Sequence, residues 1–367
     1  MCLYPKLITN PKYKKNAKNG GVIPLPQDSR ITQVPIGCGD CIECRKKKAR
    51  DWQVRLLEDV KEYTNGKFVT LTFRTEALRK LYKLSPNQKG YDLDNATATK
   101  SVRLFLERYR KKYKKSIRHW LITELGSKNT EHVHIHGILW TDVDLNEIER
   151  IWQYGWMWKG KETNGKIENW VNARTVNYII KYVTKADEKH KGYKAIILTS
   201  AGIGKNYTKT DDYTKNKYNG EDTRETYRTA NGFKIALPIY YRNKIYTEEE
   251  REKLWINKID KGERWIMGEK INIKETEKDY NETLKYYQKL NIEKGYRDKE
   301  NWTEEKYERE RRIMKQKERL TRKIKEENKK ENKTIEKTRK INRKQEKEIR
   351  KKIKEKLRRG KSKDIGC

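Results

Sequence analysis

The sequence predicts an α+β fold: a central antiparallel sheet flanked by helices, with a cysteine-bearing N-terminal segment and a charged C-terminal tail, helical or disordered. Three observations predict it. Short runs rich in β-branched and aromatic residues, bounded by turn residues, read as strands at Phe68–Phe73, Arg118–Glu124 and His132–Trp140. Around them lie segments whose apolar residues recur three or four positions apart, the helical period. The last two strands are separated only by Gly126-Ser127-Lys128-Asn129-Thr130, a hairpin-sized loop that makes them antiparallel neighbours.

Taken in order, residues 1–45 hold five of the seven prolines and read as irregular, ending in a cysteine cluster. A helix is expected from Arg45 to about Tyr63, where Trp52, Leu56 and Val60 recur at i+4. Asn65-Gly66 marks a turn into the first strand. Residues 96–116 form a basic amphipathic helix, with Val102, Phe105, Leu106 and Tyr109 opposed to Arg103, Arg108, Arg110, Lys111 and Lys112. After the hairpin come a short helix from Asp144 to about Tyr154, a strand at Gly155–Trp158 and a helix from Arg174 to about Lys185. Residues 190–245 are mixed and loop-rich, and from about Thr247 the pattern is helical and increasingly charged. The domain expectation is therefore an N-terminal cysteine segment (1–50), a catalytic domain (51–245), a helical extension (246–300) and a basic tail (301–367).

Composition narrows the function. The 367 residues include 89 Lys+Arg against 53 Asp+Glu, a formal charge of +36, and only 34% are hydrophobic. No run of about 18 apolar residues exists and the N-terminus is not a secretory signal, so a membrane protein is excluded. So large a like-sign charge repels itself unless a polyanion neutralises it, which makes nucleic acid the first partner to consider. Residues 301–367 carry a net +15, leaving +21 on the preceding 300, so the body is basic without its tail. In that tail Glu-to-Arg pairs such as Glu346/Arg350 support a solvated helix, but apolar residues are too sparse for a core.

Three clusters carry chemistry. Three of the five histidines fall in His132-Val133-His134-Ile135-His136. On a strand alternate side chains share a face, so the imidazoles project together while Val133, Ile135 and Leu139 pack inward. Neutral imidazoles on one face suit a divalent metal, and Glu124 across the hairpin offers a third ligand. Surface or hydrogen-bonded strand histidines are the plainer alternative. Second, Val176–Lys185 contains two overlapping Tyr-x-x-Lys units, which place Tyr178, Tyr182, Lys181 and Lys185 on one helical stripe. A phenol of unperturbed pKa about 10 is a poor nucleophile; a neighbouring ammonium or metal can favour the phenolate. Packing of the two rings against the sheet is the competing role. Third, Cys38, Cys41 and Cys44 have metal-ligand spacing in a chain without an export signal, and Cys2 is available as the fourth ligand of a structural zinc site; free thiols are the alternative. Trp152, Trp156, Trp158 and Trp170 crowd one region, where packing or base stacking could use them. Gly202-Ile203-Gly204-Lys205-Asn206 lacks the full phosphate-loop pattern.

Together these segments resemble the HUH superfamily of endonucleases, in particular the replication initiators of small circular single-stranded DNA bacteriophages of the microvirus (gokushovirus) type. Phe68–Phe73 resembles that family's first motif, His134-Ile135-His136 its His–hydrophobic–His motif, and Tyr178-x-x-Lys181-Tyr182 its two-tyrosine motif; Met1–Pro5 and Gly37–Arg45 resemble the phage initiators further. The resemblance implies Mg2+ or Mn2+ held by His134, His136 and Glu124, with His132 an additional candidate ligand. It implies attack by a tyrosine on single-stranded DNA at the phage origin, a covalent 5′-phosphotyrosine and a free 3′-OH that primes rolling-circle synthesis. It also implies reliance on a host helicase and polymerase in the host cell cytoplasm. Two rivals remain open on the residues alone: a histidine-triad nucleotide hydrolase, and a non-catalytic zinc-stabilised nucleic-acid-binding protein.

Overall fold

A computed structural model describes residues 2–127, 131–190, 192–296 and 304–361. The chain divides into two compact units, Met1–Lys6 with Pro35–Trp302, and Leu7–Val34 with Thr303–Cys367. In the first, the elements used below are α1 (Ile42–Glu62), β1 (Gly66–Leu71), α2 (Thr75–Tyr82), α3 (Gly90–Tyr113), β2 (Arg118–Leu125), β3 (Val133–Trp140), α4 (Leu145–Trp152), β4 (Met157–Trp158), α5 (Ala173–Thr184), β5 (Ile197–Thr199), α6 (Glu248–Lys261), β6 (Glu263–Ile266), β7 (Glu269–Asn272) and α7 (Lys278–Glu293). The second contains α8 (Glu304–Lys361), whose described side chains, residues 323–351, are all exposed. One of them, Lys340, pairs with Glu336 at 3.0 Å in the i,i+4 manner the charge pattern anticipates.

The fold is α+β, as the sequence predicts. Five strands make an antiparallel sheet in the order β4-β1-β3-β2-β5. Alternation along the strands sends one set of side chains to each face. Val69, Leu71, Leu121, Leu125, Val133, Ile135 and Leu139 pack with α3 and α4, through Val102, Phe105, Tyr109, Ile148 and Trp152. Trp120, Ile122, Ile138 and Trp140 face the other way and pack with Ala49 and Leu56 of α1 and with Val176, Ile179, Ile180 and Val183 of α5. Each fully buried side chain of this size contributes about 1.5–3 kcal/mol relative to exposure, so helices are held on both faces. The histidine strand β3 lies at the sheet's centre.

Several expectations are corrected. The helical pattern from Thr247 is interrupted: Gly262 (φ 59°) ends α6, and Met267 and Gly268 (φ 52° and 100°) make a two-residue turn joining β6 to β7. Two consecutive positive φ values give the turn whose twist suits a tight hairpin. Residues 1–45, expected to be irregular, contain two short strands, Lys6–Thr9 and Gln33–Ile36. Helix α2 and strand β5 were not anticipated; α2 buries only Leu78 and Leu81, and β5 is three residues long. The hairpin loop between β2 and β3 lies outside the described residues at 128–130. Gly202–Asn206 has a structural role: the Gly204 N–H donates to Asp59 Oδ1 at 2.7 Å, and Asp59 also accepts from Arg118 Nε at 2.8 Å.

Gly137 sits between His136 and Ile138 on β3, opposite Leu121 and Val69 of its neighbours. A Cβ there would lie 2.2 Å from the Trp120 carbonyl oxygen and 2.8 Å from Leu121 Cα. Neither atom belongs to a side chain that could swing away. Gly137→Ala is therefore expected to cost at least about 1–3 kcal/mol, the range for overpacking, seen as a lower midpoint in chemical denaturation; an unchanged midpoint would show that the strands are free to separate.

Candidate nicking site at the sheet–helix seam

The site begins with strand register. Pairing of β2 with β3 sets Glu124 opposite His134 and Ile122 opposite His136, and pairing of β1 with β3 sets Thr70 opposite His136. His134 and His136 therefore share the α1/α5 face with Ile138 and Trp140, and Thr70 and Glu124 flank them. Glu124 reaches diagonally, within range for neighbours two residues out of register. Its Oε2 lies 2.8 Å from His136 Nε2. A carboxylate only accepts, so Nε2 carries the proton and Nδ1 of a neutral ring accepts from the Thr70 hydroxyl at 3.0 Å. Thr70 was read only as part of a strand; its role becomes visible once the register is known.

Helix α5 brings the tyrosines to this seam. Asn172 caps it, its side chain accepting from the Arg174 and Thr175 backbone N–H groups, with Thr175 completing the capping box. Val176, Ile179, Ile180 and Val183 anchor one stripe in the core, which turns Tyr178 and Tyr182 toward β3. The Tyr182 ring lies flat on the His136 imidazole, centroids 4.3 Å apart and planes 9° from parallel. The Tyr178 and Tyr182 hydroxyls are hydrogen-bonded at 3.0 Å. Tyr178 is 48% exposed and meets Phe68 edge-on at 5.8 Å. Burial, then the hydrogen bond with Tyr178, pushes the Tyr182 phenol well above its ordinary pKa. Lys181 lies over the Tyr178 ring at 5.5 Å, and Lys185 does not contact a phenol oxygen; its ammonium donates to Glu124 Oε1 at 2.5 Å. The expected ammonium-stabilised phenolate is therefore not what the resting site displays.

The predicted ligands are brought together in part. Burial holds Glu124's pKa up, but hydrogen bonds from His136 and Lys185 outweigh it and leave the carboxylate below its ordinary value. Burial, with His136 nearby, depresses His134, so that imidazole is neutral at neutral pH. The His134 and His136 rings are 6.5 Å apart between centroids, and these two with Glu124 do not form a closed three-donor cluster: among the described residues the one group of three or more with all ligand atoms within 4.8 Å is the four cysteines. The reason is visible in Glu124, whose charge Lys185 already balances. The donor chemistry nevertheless fits a divalent cation. His136 Nε2 and Glu124 Oε2 are 2.8 Å apart, close to the ~3.0 Å edge of an octahedron with ~2.1 Å bonds. His132 precedes β3, after Glu131 (φ 53°), and its Nδ1 donates to the Phe73 carbonyl oxygen at 3.3 Å.

Beside the phenols opens a cavity of about 620 Å³ lined by Phe68, Trp156, Trp158, Arg174 and Tyr178 among others. Of the four clustered tryptophans Trp152 is buried, whereas Trp156 and Trp170 are 57% and 62% exposed. At the other end of α5, Cys2, Cys38, Cys41 and Cys44 converge with their sulfurs within 4.8 Å of one another, an arrangement that could hold a metal ion.

A two-histidine, one-carboxylate strand site facing a pair of helix-borne tyrosines defines the class of site. Residues 66–187, from the start of β1 to just past α5, match a family of replication-associated proteins, that of the ORF2 type. Neither the curated proteins nor the solved structures compared with the chain give a match. No helix among the described residues is long and apolar enough to cross a membrane.

Gly126 follows β2 and its absent side chain makes room for His134: a Cβ there would fall 2.9 Å from His134 Cε1. Gly126→Ala is expected to displace the His134 imidazole without unfolding the protein. Imidazole nitrogen–proton correlation spectra would show the His134 signals shifting while those of His119 stay in place.

Proposed function

We propose that this protein is a replication initiator that nicks and rejoins single-stranded DNA through a covalent 5′-phosphotyrosine, starting and ending rolling-circle replication of a circular phage genome. The observation that carries the reading is the stack of Tyr182 on His136 with the Tyr178 hydroxyl 3.0 Å from that of Tyr182: the candidate nucleophiles meet the candidate ligands. The match of residues 66–187 to a replication-associated family supports it.

His134, His136 and Glu124 would hold Mg2+ or Mn2+, which supplies electrophilic polarisation of the scissile phosphate. The chain's own groups do the rest. One phenol oxygen bonds to phosphorus as the phosphorus–O3′ bond breaks; the phenol proton leaves and the departing 3′ oxygen gains one, giving a 3′-OH. Because Tyr182 is held as a phenol, its proton must depart as the new bond forms. In the closing step the second tyrosine cleaves the regenerated origin, and the freed 3′-OH displaces the first tyrosine to seal the circle. Lys181 and Lys185 offer positive charge to the phosphate. We assign residues 51–245 to the nuclease, 1–50 to a zinc-bearing segment, 246–300 to a helical extension and 301–367 to a basic tail that binds phosphates. A host helicase and polymerase in the host cytoplasm would open and copy the duplex.

The test incubates the protein with the circular single strand carrying its gene and Mn2+, and follows protein attached to a DNA 5′ end on a denaturing gel. Tyr178→Phe with Tyr182→Phe should abolish the adduct, and His134→Ala should reduce it by about 10²-fold or more, several kcal/mol of lost charge stabilisation. A histidine-triad hydrolase would keep its activity without the tyrosines, and a purely binding protein would form no adduct at all.

The aromatic cavity suits an unpaired base flanking the nick. Trp156→Ala, at an exposed position, should leave thermal stability unchanged and weaken binding of a fluorescent single-stranded oligonucleotide by about 5- to 100-fold, equivalent to ~1–3 kcal/mol for one stacked base. An undiminished affinity would remove the cavity from the DNA path.

A further inference from the structure

The four cysteines come from two separated segments, yet their sulfurs are spaced as ligands. Cys2 and Cys41 are 3.8 Å apart and Cys38 and Cys44 3.9 Å. A tetrahedron of thiolates around zinc, with bonds of about 2.3 Å, has edges of about 3.8 Å. A disulfide would need about 2.05 Å. Backbone N–H groups already point at the sulfurs: Cys38 and Tyr4 donate to Cys2 at 3.1 and 3.3 Å, and Cys41 donates to Cys38 at 3.3 Å. Such donors stabilise thiolate charge.

What this knot touches is more informative than its ligand set. Helix α1 has no side-chain cap of its own; the Ile42 N–H donates to the side chain of Asn291, fully buried on α7. Cys2, Leu3, Tyr4, Cys41 and Ile42 form one apolar cluster with Tyr280 and Leu284 of α7. From this body two groups reach the C-terminal end of the tyrosine helix. Arg45, the residue after Cys44, donates from Nη1 to the Lys185 carbonyl oxygen at 3.0 Å. Tyr296, just beyond α7, donates from its hydroxyl to the Thr184 carbonyl oxygen at 2.8 Å. The last carbonyls of a helix lack partners within it and carry partial negative charge, so a guanidinium and a phenol satisfy them directly. Lys185, whose carbonyl is so held, is also the residue whose ammonium binds Glu124 beside His136.

We propose that the cysteine knot binds one Zn2+ as a tetrathiolate and, through Arg45 and Tyr296, fixes the end of the tyrosine helix, so that zinc occupancy sets the alignment of the phenols with the histidine strand. Arg45 and Tyr296 are positioning residues. The consequence for strand transfer rests on the phosphotyrosine reading; the zinc and the helix end do not.

The experiment uses the full chain. Elemental analysis should find one zinc per chain, lost in Cys41→Ser. Hydrogen–deuterium exchange over residues 181–187 should quicken at least tenfold when zinc is withdrawn with a thiol-directed mercurial, while exchange in the central sheet stays unchanged. Should Cys41→Ser not fold, Arg45→Ala decides: it should retain zinc, lose protection over 181–187 and form the DNA adduct at least tenfold more slowly with oligonucleotide affinity little changed. A chain without stoichiometric metal, or holding iron, overturns the zinc assignment. Full protection of residues 181–187 in zinc-loaded Arg45→Ala overturns the clamp. If the unaltered protein forms no adduct, the phosphotyrosine reading fails while the zinc and exchange results still decide this proposal.

Discussion

The structure depends on the register of three strands. Because β3 pairs with β1 on one side and β2 on the other, Thr70, His136 and Ile122 stand in one row and Glu124 faces His134. A slip of one residue would turn both histidines into the core packed by α3 and α4, and would send Val133 and Ile135 to the α5 side. The hydrophobic cost of that exchange is what keeps the imidazoles under the tyrosine helix. Gly137 strengthens the constraint, since the close approach of Trp120 and Leu121 tolerates no side chain at that position.

Much of this was legible beforehand. Strong period-two and period-3.6 patterns marked β1, β2, β3, α1, α3 and α5, and these carry both the sheet and the candidate site. Patterning was uninformative where elements are short or lightly buried. β5 has three half-buried residues, and α2 buries two leucines; neither offers a full period to read. The β6–β7 hairpin was hidden within a charged helical composition, although Met267-Gly268 marks its turn. At the site, the alternation of His134 and His136 and the i,i+4 spacing of the tyrosines could be read directly. Partners could not. That Lys185 would choose Glu124 over a phenol, and that Arg45 would reach the end of α5, depends on side chains from 61 and 140 residues away.

Electrostatics at the seam is balanced rather than poised. Glu124 is ionised because His136 and Lys185 both donate to it, and Tyr182 is held as a phenol by burial beside its neighbour. A buried carboxylate with such partners costs less than one left alone. The ammonium of Lys185 thereby does in the resting site part of what a cation would do, neutralising the carboxylate. In the proposed reaction the incoming phosphate gives that ammonium a second anion to serve, and Glu124 is then available as a ligand. Lys185 lies at the Ccap of α5, where the chain leaves helical geometry, so its side chain can exchange partners without disturbing the helix.

This arrangement also explains why the end of α5 is held from outside. A helix anchored only by Val176, Ile179, Ile180 and Val183 is free to slide along the sheet by small amounts at little cost, because apolar contact is non-directional. The Tyr182–His136 stack at 4.3 Å is sensitive to shifts of that size, and reacting groups displaced by about 1 Å lose rate by roughly two orders of magnitude. Directional bonds at both ends remove the freedom: the Asn172 cap fixes the first turn, and the Arg45 and Tyr296 donors fix the last. The cap is local in sequence and was available to any chain with a suitable residue there. The other two donors are not local, and need a rigid body behind them to be worth making. The converging cysteines, with α7 packed against them, are that body, which gives a segment far from the phenols a direct mechanical claim on their placement.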